Sequence, residues 1–148
     1  MKYSKISGTF LNFQTGQRID TGVTYSSQEL RSAQHDIVIK TYENNKIIET
    51  HLRLKGPKYL EFDSQSDDPR IPVITGEFLN SDYEECILKS TLPDKTIDID
   101  GVFTKLDLKH ALCTKTLTDS SSGKIVGMMQ ERVELISEAD FKTALNLK

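Results

Sequence analysis

The sequence predicts an all-β chain: an antiparallel barrel of eight to ten strands followed by a C-terminal α-helix. Three observations point to it. Apolar and polar residues alternate with period two along most of the 148 residues, as strands with one buried face require. Turn residues break the alternation at short intervals. The pattern Ile-x-Gly-x-Phe occurs three times, at 6–10, 74–78 and 99–103. In a strand those three residues share a face, with a gap in the middle. A glycine inside a strand gives up packing and conformational entropy, so it marks a bend, a bulge or a close approach. Small barrels need such bends to close, and closure removes the exposed edges of an open sheet.

The elements follow in order. Residues 6–13 and 19–25 are strand candidates on either side of Thr15-Gly16. Residues 26–34, SSQELRSAQ, read as a short helix. Residues 36–43 and 46–55 form a hairpin about Asn44-Asn45, since two asparagines tolerate the positive φ of a two-residue turn. In its second arm Ile48, Thr50, Leu52 and Leu54 share one face, and Glu49, His51, Arg53 and Lys55 the other. Gly56-Pro57 ends the arm, and residues 58–62 are the next strand. Residues 63–72, DSQSDDPRIP, read as a loop and as the mobile rim of the barrel. Strands are predicted at 73–79, 86–92, 96–103, 106–118 and 124–136, the last two about a turn at Ser120 to Gly123. The helix covers 137–147, with Ser137 as N-cap and Phe141 and Leu145 one turn apart for docking on the sheet. The whole chain, 1–148, is read as one domain.

ISGTFLN at 6–12 matches ITGEFLN at 74–80, and weaker echoes follow: His35 with Lys40-Thr41 and His110 with Lys115-Thr116, then Lys46-Ile47-Ile48 and Lys124-Ile125-Val126. A doubled four-strand unit and chance similarity between alternating strands both account for this order.

Composition and motifs exclude several functions. The net charge of −3 and the absence of a Lys/Arg stripe argue against nucleic acid. No apolar run has the length of a membrane span, and the N-terminus lacks an apolar signal region, so the expected place is the cytoplasm. Cys86 and Cys113 are read as free buried thiols, with a disulfide between neighbouring strands as the alternative. His35, His51 and His110 are scattered without ligand spacing, and Asp98 and Asp100 alternate on a solvated strand face rather than in a calcium loop. Glu84-Glu85, Asp67-Asp68 and Ser120 to Ser122 fit no catalytic motif. No metal or cofactor is expected.

Gly8-Thr9-Phe10 on the first strand resembles the G-x-W element that opens lipocalins and fatty-acid-binding proteins, the calycin group. In that group an Arg of the last strand lies near the opening aromatic, and Arg132, within Glu131-Arg132-Val133-Glu134-Leu135, takes that place. The terminal helix fits the lipocalin order. The aromatic is Phe rather than Trp, and the chain has no Trp. The resemblance implies a barrel holding a small, mainly apolar or carboxylate ligand. Phe10, Phe78 and Phe103 would line it. Arg132 would either pack over the aromatic at the barrel base or bind a ligand carboxylate. The leading expectation is thus a non-enzymatic binding protein. The alternatives are a protein-interaction module with a filled core, contacting its partner through a sheet face or 63–72, and a cavity-based enzyme such as an isomerase, for which no acid–base pair can be named.

Overall fold

The computed structural model describes residues 1–31, 36–55, 60–79 and 84–147. They form ten strands and a helix: β1 (Lys2–Asn12), β2 (Arg18–Leu30), β3 (Asp36–Glu43), β4 (Lys46–Leu54), β5 (Leu60–Ser66), β6 (Ile74–Phe78), β7 (Glu85–Thr91), β8 (Ile97–Lys105), β9 (His110–Asp119), β10 (Ile125–Ile136) and α1 (Glu138–Ala144). Every strand pairs antiparallel with its neighbours in sequence, and β1 pairs with β10, so the sheet closes into an up-and-down barrel. The β3–β4 turn is as the asparagines predict, with φ of 49° at Asn44 and 62° at Asn45.

β1 begins four residues earlier than the sequence reading and α1 is shorter at both ends, and three larger differences have a physical reason. Residues 26–30 are strand, not helix: β2 runs to Leu30, paired with β1 through Lys2↔Gln28 and with β3 through Leu30↔Ile37. Backbone pairing on both sides overrides the helical preference of Gln, Glu and Leu. Residues 32–34 of that segment lie outside the described residues. The predicted loop 63–72 begins as strand, because β5 continues to Ser66. Ser64 is buried opposite Leu52 and Ile74, a small residue between two large ones, so the segment reads as polar although it is paired. Its remainder is pinned rather than loose. The Asp67 N–H donates to the Glu49 carbonyl, and the Glu49 N–H donates to the Asp67 carboxylate at 3.1 Å. The buried Asp68 accepts from Arg70 at 2.7 Å and from Lys46 of β4 at 3.1 Å. Those hydrogen bonds, Arg70's first, hold the Asp68 carboxyl well below the usual carboxylate range. Finally, 106–118 is not one strand: Asp107 accepts from the Lys109 and His110 N–H groups and turns the chain before β9.

The dry part of the core is Ile37, Leu52, Phe62, Phe78 and Cys86, with Ile39, Leu54, Ile74, Leu88 and Phe103 packed against it. Phe62 and Phe78 meet at 5.2 Å between ring centroids. These residues lie toward the barrel end where β2 runs into β3, β4 into β5 and β6 into β7.

Helix α1 lies on the outer wall rather than across an opening. Ser137 caps it, its hydroxyl accepting from the Asp140 N–H at 3.0 Å, as the sequence predicts. Phe141 is buried against Tyr3 (4.7 Å) and Tyr42 (5.3 Å), which point outward from β1 and β3. Val38, also outward, is the most completely buried large side chain described, because this patch of the wall has a cover.

Candidate functional site

Period-two alternation together with the strand register fixes what the barrel encloses. Around the wall from β5 to β8, in the hydrogen-bonding direction, large and small inward residues alternate. One row runs Phe62, Gly76, Leu88, Gly101, Lys115, Met129, Phe10. The next runs Phe78, Cys86, Phe103, Cys113, Glu131, Gly8. A third runs Leu52, Ser64, Ile74, Ser90, Ile99, Leu117. Such alternation lets side chains from a closed, tapering wall interdigitate.

The three Ile-x-Gly-x-Phe strands all present that face inward, but their glycines serve two purposes. A Cβ on Gly76 would collide with the Phe62 ring and the Ile87 carbonyl, so the glycine makes the hollow in which Phe62 lies. Gly101 lies beneath Lys115, whose Cγ would stand 3.3 Å from an added Cβ. Neither strand shows a register shift at its glycine. Only Gly8 sits at a bulge, where β1 and β2 shift register between Gly8 and Thr9 and the Thr21 hydroxyl crowds its inner side. The expectation of one shared bend therefore holds for the first copy alone; the other two glycines make room for a neighbour's side chain.

The two residues over Gly101 and Gly8 meet. Lys115 Nζ donates to Glu131 Oε1 at 2.7 Å, an ion pair inside the barrel. Burial works against the Lys115 ammonium, but the charge and hydrogen bond of Glu131 together outweigh it, and the Lys115 pKa is raised. Yet 27% of the Lys115 side chain and 23% of Glu131 reach solvent. Ile6, Phe10, Thr24 and Met129, inward residues of the neighbouring strands, are also only half-buried. The fully buried apolar residues of the interior thus gather on β3–β7, where Leu54, Ile74 and Leu88 are half-buried, while the inward residues of β9, β10, β1 and β2 are mostly half-buried or exposed, with Ser26, Cys113 and Gly127 the buried exceptions.

Against this geometry the expected site residues divide. Phe10 is inward and lies on the accessible side, its ring packed over Gly127. Phe78 is buried in the dry cluster, and Phe103 packs against that cluster between Cys86 and Cys113. Arg132 follows Glu131 and so faces outward; it is exposed and pairs with Ser7 and Leu112. The wall separates it from Phe10 and from the interior, which fits neither the carboxylate anchor nor the cover over the aromatic. Lys115 and Glu131 are the polar centre that sequence reasoning passed over. Both faces of β9 and β10 mix polar and apolar residues, so alternation alone does not say which side is in.

Cys86 and Cys113 are free and buried. They stand on β7 and β9 with β8 between, so two strand spacings of about 4.8 Å put them about 10 Å apart. That exceeds the Cα separation of about 7 Å that a disulfide spans. Burial, with the neighbouring Cys113, pushes the Cys86 thiol up to about 12, and burial raises Cys113 as well. His51 pairs with Glu49 and His110 with Asp107, on the outer wall and in a turn. A second concavity, an open cleft of about 1060 Å³, lies between the β5–β6 connection and the β7–β8 turn, lined in part by Pro69, Pro72, Leu92, Lys89 and Asp98.

These features define a closed ten-stranded antiparallel β-barrel with a partly accessible, charge-paired interior, an architecture consistent with the calycin-like folds. No protein-family model matches the sequence, and no curated protein matches it significantly.

Proposed function

We propose that this is a non-enzymatic, calycin-like binding protein that holds a small apolar or amphipathic molecule in the accessible half of the barrel. The observation that carries the reading is the partly exposed Lys115–Glu131 pair at inward positions, beside the half-buried apolar side chains of Ile6, Phe10 and Met129. A filled barrel would leave such a pair dry. An apolar lining with a few placed polar groups is the ordinary make-up of a small-molecule site.

The test is binding of an environment-sensitive apolar dye, with native mass spectrometry of the purified protein. The wild type is expected to bind the dye at about micromolar concentration. Met129→Trp, which fills the accessible half, is expected to keep the β-sheet circular dichroism and lose the dye. If the wild type binds no dye and carries no copurified molecule, the reading fails.

That outcome would favour a second reading, a protein-interaction module with a filled interior. Its support is the close fit of Phe62 over Gly76 and two leucines, Leu106 and Leu108, that stand largely exposed at the β8–β9 turn.

A further inference from the structure

We infer that the bound molecule carries an uncharged head group with both a hydrogen-bond donor and an acceptor, such as an alcohol or a primary carboxamide, rather than a carboxylate or an amine. This rests on the barrel-interior reading above and narrows it. Among the described residues, Lys115 and Glu131 are the charged side chains at inward positions in the middle of a strand, and they neutralise each other at 2.7 Å. The expected cationic anchor, Arg132, is outside. A ligand carboxylate that accepts from Lys115 is brought against the Glu131 carboxylate. A ligand ammonium that donates to Glu131 is brought against the Lys115 ammonium. Either way a third charge stands beside one of like sign where water screens it only in part, which is unfavourable.

A neutral donor–acceptor group brings no like charge to either partner. Lys115 has three N–H donors and uses one on Glu131 Oε1; Glu131 keeps its second oxygen, Oε2, as an acceptor. An alcohol or amide can accept from the first and donate to the second while the pair stays intact. Its alkyl body then lies along Phe10, Met129 and Ile6, the half-buried apolar residues of β1 and β10 on the same accessible side. The ion pair therefore selects against charged ligands of both signs, a repulsive contribution to specificity as well as an attractive one.

The experiment displaces the dye N-phenyl-1-naphthylamine from the full chain, near neutral pH, with four ligands of equal chain length: decanol, decanamide, decanoate and decylamine. Decanol and decanamide are expected to displace it about tenfold more tightly than decanoate or decylamine. Glu131→Gln leaves Lys115 uncompensated and is expected to make decanoate the best of the four. If that variant does not fold, Lys115→Met/Glu131→Leu removes both charges together. It is expected to keep the dye and weaken decanamide about tenfold. Decanoate displacing the dye from wild type as well as decanol, or better, overturns the head-group inference and leaves the binding reading standing. Failure of the dye and all four ligands to bind overturns the binding reading itself.

Discussion

Gly76 and Gly101 occupy the same place in the same pentapeptide, yet the space above them differs. At Gly76 a methyl group would run into the Phe62 ring and into backbone, neither of which can move far. At Gly101 it would touch the flexible Lys115 and Leu88 side chains at 3.3–3.4 Å. Gly76→Ala is therefore expected to destabilise by about 1–3 kcal/mol through overpacking. Gly101→Ala should stay within about 1 kcal/mol of wild type, because the unfolded chain loses freedom while the neighbours shift slightly. Urea midpoints of the two variants check this; equal losses would mean that both glycines serve only a shared backbone bend. The pattern itself could be read from the sequence, as could the inward direction of Ile, Gly and Phe. Which side chain lies over each glycine could not, because Phe62, Lys115 and Glu131 come from other strands and their register is set across the barrel.

Among the elements, the hairpin about Asn44-Asn45 and the capped helix were legible because their signals are local: two residues tolerant of positive φ, and a serine three residues before Asp140. The second half of β2, residues 26–30, and the end of β5 were not, since their residues are polar or helix-favouring and only pairing makes them strands. The element order also speaks against internal duplication. ISGTFLN lies on β1 and ITGEFLN begins on β6, five strands on, whereas the Lys-Thr and Lys-Ile-Ile echoes relate β3 to β9 and β4 to β10, six strands on. A duplicated unit would keep one shift; a repeated packing solution need not. For α1, Phe141 is the anchor, and Phe141→Ala is expected to cost about 3 kcal/mol, at the low end for a buried phenylalanine because the helix is short and lies on an outer wall. Loss of helical circular dichroism with the barrel retained would place that cost in docking; an unchanged unfolding midpoint would show that the helix contributes nothing to the barrel.

For the molecule as a whole, the groups in and around the interior set the pH behaviour. Cys86, Cys113 and Lys115 all have raised pKa values, so the fold favours neutral thiols and a charged ammonium. The unfolded values are about 8.5 for Cys and about 10.4 for Lys. A raised folded pKa contributes stability that is fully present below the unfolded value and lost as pH rises through the folded one. Stability should accordingly be flat through neutral pH on account of these groups and fall between roughly pH 9 and pH 12, the range over which the Cys86 thiol ionises. Denaturant midpoints against pH measure this. Native thiols should resist a thiol reagent at neutral pH, and rapid labelling of the folded protein would contradict the burial of both.

Alternation, turn residues and the three glycine pentapeptides were enough to specify an all-β, antiparallel barrel with a helix after its last strand, because those signals concern neighbours one to four residues apart. Closure by β1 and β10, the number ten, and the meeting of Lys115 with Glu131 depend on register between segments far apart in sequence. The last of these turned the candidate site around. Arg132 and Glu131 are adjacent in the chain, but a strand sends adjacent side chains to opposite faces, and the pairing of β10 with β9 and β1 put the carboxylate inside and the guanidinium out.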